Sequence, residues 1–233
     1  GSLAIKLDDV QDLDLLAQYY DSGNNGSVGI YFPNLHDKAP SNLEDAEIRS
    51  GYDTDLEPRS KRLLFNANYH HADLLGQDFY LQGSYRKEDN NFYPFPYYNA
   101  GKPQGSKGVY FAASQQNFEV TSLKALFAKQ WDSLKLTYGV DLDRERFNAE
   151  KSKLDSAKSS VSGGLELVTQ REAPRYPSYR VDGHSAYAQL DWKLTDALTL
   201  SGGARRQQMD VDVGVFKGIA GGSNDYAVNL FNL

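Results

Sequence analysis

Apolar and polar side chains alternate residue by residue along several stretches of this chain, and no other feature restricts its fold so strongly. Between positions 134 and 142, Leu134, Leu136, Tyr138, Val140 and Leu142 fall on one side of an extended chain, and Lys135, Thr137, Gly139 and Asp141 on the other. The same pattern sets Phe79, Leu81, Gly83 and Tyr85 against Tyr80, Gln82, Ser84 and Arg86, and Ala186, Ala188, Leu190 and Trp192 against Tyr187, Gln189, Asp191 and Lys193. A period of two belongs to β-strands, whose successive side chains point to opposite faces. Leu13, Leu15, Ala17 and Tyr19 continue the series, as do Leu63, Phe65, Ala67 and Tyr69, and Leu198, Leu200, Gly202 and Ala204. The stretch 118–131 alternates less cleanly, and Leu3, Ile5 and Leu7 read as a strand whose start is missing. The pattern predicts an all-β chain, an antiparallel up-and-down meander of about eight long strands.

The connections sharpen that reading, because short and long ones take turns. Short ones fall near 8–11, 72–77, 132–133 and 196–197; long ones run about 24–59, 94–116 and 151–179, with a fourth opening at Phe216. Loops of this length are uncommon inside a compact soluble domain. A transmembrane β-barrel has this asymmetry, with short periplasmic turns on one rim and long extracellular loops on the other. Runs of about ten residues are long enough to cross a bilayer when tilted. Trp131 and Trp192 stand just before short turns, where an aromatic girdle would meet the lower interface. No run approaches the ~18 apolar residues of a spanning helix.

Composition removes several function classes. With no cysteine, disulfides, thiolate catalysis and cysteine metal sites are excluded. A formal net charge of −6 argues against a nucleic-acid binder, which needs a basic face. Four histidines are present, His36, His70, His71 and His184, but neighbours on a strand diverge, so His70 and His71 cannot converge on one ion. Asp141, Asp143 and Glu145 share a strand face, and the intervening Arg144 and Arg146 make paired charges facing water a simpler reading than calcium. No metal, no cofactor and no catalytic residue is expected. Two other classes remain open: a small outer-membrane hydrolase using His184 or His71 with Ser185 or Ser201, and a soluble β-domain that binds a protein partner. Gly1-Ser2 reads as an expression scar, leaving 3–233 as the barrel segment.

Leu74-Leu-Gly-Gln77, Gly83-Ser-Tyr-Arg86 and Phe92-Tyr-Pro-Phe-Pro96 resemble the TonB-dependent outer-membrane siderophore receptors of the ferric aerobactin type. Ser114-Gln-Gln116, the stretch from Tyr138 to Phe147, Ser162-Gly-Gly-Leu165, Arg175-Tyr-Pro-Ser-Tyr179 and the stretch from Leu198 to Arg205 follow in that family's order. The resemblance implies part of a barrel of about 22 strands with a plugged lumen, in the bacterial outer membrane, energised by TonB and transporting rather than catalysing. It implies a ferric hydroxamate–carboxylate siderophore such as aerobactin as ligand, with iron arriving only as that chelate. The family's N-terminal plug and TonB-contacting segment are not among these residues, so the sequence reads as a fragment. Outer-membrane lipid and lipopolysaccharide are the surrounding partners.

Charge is distributed unevenly over the long loops. The 94–116 loop has Lys102 and Lys107 and no acid. Between 151 and 180, Lys151, Lys153, Lys158, Arg171, Arg175 and Arg180 outnumber Asp155, Glu166 and Glu172, whereas 24–59 is acidic. Aromatic residues accompany the positive charge. Arginine offers bidentate contacts to carboxylates, and tyrosine adds apolar area with a phenolic donor. The candidate siderophore contacts are Phe92, Tyr93, Phe95, Tyr97 and Tyr98 in one loop, and Arg175, Tyr176, Tyr179 and Arg180 in the other.

Overall fold

A computed structural model describes residues 1–23, 28–33, 46–56, 58–92, 95–99 and 108–232. The strands are β1 (Ser2–Lys6), β2 (Gln11–Gly23), β3 (Val28–Tyr31), β4 (Glu47–Ser50), β5 (Asp53–Thr54), β6 (Arg59–His71), β7 (Asp78–Asn91) and β8 (Phe95–Asn99). They continue with β9 (Gly108–Gln130), β10 (Leu134–Leu154), β11 (Glu166–Leu167), β12 (Thr169–Pro174), β13 (Tyr179–Thr195), β14 (Leu198–Val213) and β15 (Gly222–Asn232), and one helix, α1 (Ser156–Val161), follows β10. The main sheet is an antiparallel meander in the order β1-β2-β6-β7-β9-β10-β13-β14-β15, with β8 added to β9 and β12 to β10.

Nine strands thus lie on the path, one more than the alternation suggests, because β15 follows a tight connection rather than a fourth long loop. Lys217 and Gly218 both have positive φ, 49° and 81°, and Phe216 bridges Ile219. These are the backbone signs that a tight hairpin turn requires, and only the glycine adopts them freely. Strand pairing also extends beyond the sequence-predicted loop edges: β10 continues to Leu154 and pairs with β12, and β9 pairs with β8 from Gly108. The turns at 132–133 and 196–197 lie at one end of the sheet, since Leu134 is opposite Trp192 and Thr195 opposite Leu198. At the β1 edge, Ser2 pairs with Leu16 and the Gly1 carbonyl accepts from the Ala17 N–H.

The sheet curls around its polar face. Asp141 and Ser185 are only 8% and 7% exposed, while Val140 and Leu142, on the opposite face of the same strand, are 48% and 50% exposed. A soluble sandwich would bury the leucines; here the apolar face looks outward. That face changes character at a constant height: between Tyr19 and Asp21 on β2, Leu63 and Lys61 on β6, Tyr85 and Lys87 on β7, Leu142 and Arg144 on β10, and Ala204 and Arg206 on β14. The break comes about nine residues above the short turns, which at ~3.3 Å per residue and a tilt near 45° is roughly 20–25 Å. Trp131 and Trp192 mark the lower edge, both half-exposed.

Above the band the outward face carries ion pairs: Arg59 with Asp21, Lys87 with Asp89, Arg146 with Glu119, Arg144 with Asp182, and Arg180 with Asp182 and Asp212. The Arg59 fork donates to both Asp21 oxygens at 2.7 and 2.6 Å, and the Tyr19 phenol adds a third bond at 2.8 Å. Arg59 first and Tyr19 second hold the Asp21 carboxyl at about 2, below its ordinary 3.8. Because the folded value is the lower one, this contribution to stability is complete above the ordinary carboxylate range and is lost as pH falls through about 2. A ¹³C-carboxyl titration should place the Asp21 midpoint near 2, and Arg59→Ala should return it toward 3.8. A wild-type midpoint already near 3.8 would mean that the fork does not form in solution.

Candidate functional site

The long loops at 24–58 and 155–178 join each other, although β7 and β9 separate the strand pairs they connect. β3 pairs with β4 as a small hairpin, and β5 pairs in parallel with β11, so that Asp53 lies opposite Glu166. The Phe32 N–H donates to the Gly163 carbonyl at 2.9 Å, and the Asp53 N–H to the Leu165 carbonyl at 2.8 Å. Asp55 accepts from the Thr169 N–H at 3.0 Å. Phe32, Tyr52, Leu154 and Leu167 form a buried apolar cluster, with Ile30, Ala46 and Leu56 against it. Asp155 caps α1 by accepting from the N–H groups of Ala157 and Lys158, and the helix lies against the upper end of β9. Gly163 has a φ of 65°, and a Cβ there would run into the Tyr31 ring, so both its conformation and its contact require glycine. The result is a two-loop roof over the upper end of the sheet.

Beneath the roof, the polar face carries one continuous cross-strand row: Tyr20 on β2, Arg62 on β6, Glu88 on β7, Phe118 on β9, Phe147 on β10 and Tyr179 on β13. Phe147 and Tyr179 stack with ring centroids 5.2 Å apart, and the Arg86 guanidinium stands 5.1 Å over the Phe118 ring. Arg62 pairs with Glu88 at 3.0 Å. The Tyr179 hydroxyl donates to Glu145 at 2.7 Å; burial, then that bond and charge, push its pKa up to about 12. Tyr179 therefore stays a neutral phenol whose proton is already committed, and what it presents to a ligand is its ring.

The sequence-predicted residues separate by face. The Arg175 N–H donates to the Ala149 carbonyl at 2.9 Å, which places Arg175 two residues above Phe147 and on its face. Arg175 and Tyr179 thus belong to adjacent rows of the polar face. Arg180 lies on the other face, held by Asp182 and Asp212. Tyr176 is half-exposed, with the Arg175 guanidinium 5.5 Å from its ring centre. Phe92 is exposed and its N–H donates to the Ser114 carbonyl. Phe95 is opposite Ala112 and Tyr97 opposite Tyr110 along the β8–β9 pair, and Tyr98 is opposite Val109. Tyr93, Lys102 and Lys107 lie outside the described residues. Arg62, Arg86, Phe118 and Phe147 are additions that the loop-centred sequence reading missed; extending the polar-face periodicity of β6, β7, β9 and β10 upward would have found them.

The hydrolase alternative has no geometry to support it. Ser185 donates to Asp141 on the polar face, while His184, on the opposite face, meets Gln208 at 2.9 Å. His70 is engaged by Asp12 and stacks on Tyr80, whereas His71 accepts from the Asp73 N–H. Among the described residues no group of three or more His, Asp or Glu could hold a metal ion.

Comparison with known proteins agrees with this architecture. Residues 2–232 match the family model described as "TonB dependent receptor-like, beta-barrel". The rhizobactin receptor of Rhizobium meliloti (strain 1021) is 36% identical over 94% of this chain and 29% of its own length. The ferric aerobactin receptor of Klebsiella pneumoniae is 31% identical over 100% of the chain and 33% of its own, and that of Escherichia coli 31% over 94% and 30%. The chain therefore spans about a third of the length of these relatives. The solved structure of the copper transporter OprC superposes with a TM-score of 0.65 over 99% of this chain and 32% of its own, at 15% identity, a likeness of fold alone. An outward apolar band, a polar interior and alternating short and long connections are the marks of an outer-membrane barrel wall, and the chain belongs to the TonB-dependent receptor-like β-barrel family.

Proposed function

We propose that the intact protein is a TonB-energised receptor for a ferric siderophore of the hydroxamate–carboxylate, aerobactin-like kind. The observation that carries this reading is the aromatic and cationic cluster under the roof, with Arg62, Phe118, Phe147 and Tyr179 in one row of the polar face, Arg86 one row below and Arg175 one row above. A ferric chelate with free carboxylates is anionic at its edge and apolar along its backbone. Guanidinium groups suit the first and stacked rings the second. Iron is cargo here, already held by the chelator, so the wall needs to supply no metal ligands of its own. The kinship to receptors named for rhizobactin and ferric aerobactin supports a siderophore as ligand.

The test is equilibrium binding of ferric aerobactin and ferric rhizobactin to the intact receptor at two salt concentrations. Arg175→Ala removes a charge-assisted contact, so affinity for the cognate chelate should fall roughly ten- to hundredfold. Arg180→Ala, on the outward face, should change affinity little. Equal binding by wild type and Arg175→Ala, with folding verified, would remove Arg175 from the site. Failure of both chelates to bind the wild type would overturn the ligand class itself.

A further inference from the structure

The inward face of the wall is not uniformly polar. Strand alternation sends Tyr179, Val181, Gly183 and Ser185 of β13 inward, and with them Val213, Val211, Met209 and Gln207 of β14, which stand directly opposite. The tight Lys217-Gly218 turn, where Phe216 bridges Ile219, sets the next register: Tyr226 lies opposite Met209, Val228 opposite Gln207 and Leu230 opposite Arg205. Val211, Met209, Tyr226 and Val228 therefore share the face of Asp141 and Ser185, while Ala227 and Asn229 point outward. Among the described residues, no charged side chain of β13, β14 or β15 faces inward between the levels of Tyr179 and Ser185. Over the same levels β6, β7, β9 and β10 present Arg62, Arg86, Glu88, Lys124, Asp141 and Asp143. The interior is divided lengthwise into a charged side and an apolar lane.

The lane starts at the aromatic and cationic cluster, since Val213 lies directly opposite Tyr179, which stacks on Phe147. From Val213 to Gln207, the residue opposite Val228, it descends about 20 Å at strand rise and narrows to Val228 alone. Val213, Tyr226 and Val228 are exposed, and contiguous apolar surface left facing water marks a binding surface. Gly183 lies in the middle of the lane, opposite Met209. It is not among the glycines with positive φ, and a Cβ added to it would stand 3.7 Å from the nearest atom, the Asp143 Cβ. Neither backbone conformation nor crowding requires glycine here, and a glycine inside a strand then marks the close approach of something else. The missing side chain leaves a trough. An uncharged trough flanked by charge suits a flexible hydrocarbon chain better than a folded protein surface, which needs a broad patch with its polar groups paired. We propose that the lane holds an alkyl chain carried by the ferric chelate, so that the cargo is an amphiphilic, acylated siderophore. Its carboxylates meet Arg62, Arg86 and Arg175, and its tail runs from Tyr179 and Val213 over Gly183 toward Met209 and Val228. This rests on the siderophore reading and adds an acyl tail to the hydroxamate–carboxylate head.

The experiment compares two probes on the intact receptor in mild detergent, ferric aerobactin and a synthetic analogue of it that carries a decanoyl chain, with folding checked by heat-modifiable gel mobility. Wild type should bind the acylated chelate at least about tenfold more tightly, because its methylenes leave water for the lane. Gly183→Leu fills the trough and should make the two chelates bind alike. Met209→Gln places an amide against the tail and should also reduce the preference, and it carries the same comparison if Gly183→Leu fails to fold. Gly83→Leu, on the outward face where a Cβ also meets nothing within 4 Å, should keep the preference. Equal binding of both chelates by the wild type would overturn the proposal and leave the siderophore reading standing; binding of neither would overturn both. A preference that survives in folded Gly183→Leu and Met209→Gln would place the tail in detergent and not in the lane. Equal weakening of both chelates by Gly183→Leu would assign the trough to another segment of the protein, and would overturn the proposal as well.

Discussion

Leu167→Ala should unlatch the two-loop roof while leaving the barrel wall folded. Leu167 is 1% exposed and Leu154 fully buried, and both lie in the cluster with Phe32 and Tyr52 that holds the loops together. Truncating a buried leucine costs about 2–5 kcal/mol, the lost transfer energy plus the cavity left behind. Among the described residues the other ties between the loops include a few backbone bonds, the two-residue β5–β11 pairing and the Asp55 contact to Thr169. Even 2 kcal/mol multiplies the open population by about thirty. Amide hydrogen exchange in the intact receptor should therefore speed up about thirtyfold or more at Phe32, Asp53 and Thr169, with Val140 and Ala186 in the wall unchanged. If the wall amides accelerated equally, roof and wall would be one cooperative unit. Loss of the roof should also weaken ligand capture, since Arg175 is positioned at the end of the β12 segment that runs out of it.

The wall was legible in the sequence because lipid on one side and water on the other impose two chemistries on alternate residues, and Leu134 to Leu142 record that directly. β9 was harder to read for a local reason: Leu126 and Ala128 stand on its polar face and Lys129 on its apolar face near the turn, which blurs the period. The roof left no such trace. Asp55 and Thr169 are 114 positions apart, and contact at that separation produces no periodicity. The hairpin at Lys217-Gly218 lacks the Asn-Gly or Asp-Gly pair that marks such turns, so Phe216 read as the start of a long loop. At the candidate site, charge counting treated 151–180 as one basic cluster. Strand β13 begins at Tyr179, however, and its alternation already assigns Tyr179 and Arg180 to opposite faces. Composition shows that a segment is basic; only the strand period shows which of its cations face the lumen.

Ala125→Arg should destabilise the barrel by about 2–4 kcal/mol in a bilayer, the cost of a cation on the lipid face near the membrane midplane. Ala125 is the sixth residue from the lower end of β9, about 14 Å up the wall at ~3.3 Å per residue and a tilt near 45°. It stands in the outward row between Leu81 and Val140. Thr137→Arg, on the polar face of the adjacent strand, places the same charge beside Gln189 and Ala128 and should cost no more than about 1 kcal/mol. Denaturant titration of the intact receptor folded into lipid vesicles measures both. Equal costs would mean that the apolar face does not meet lipid, and the band would have to be covered by protein. The depth dependence also accounts for where this sequence itself tolerates an outward arginine. On β14 the cost falls to about 0–1 kcal/mol at the interface, and Arg206 appears there, one outward position above Ala204.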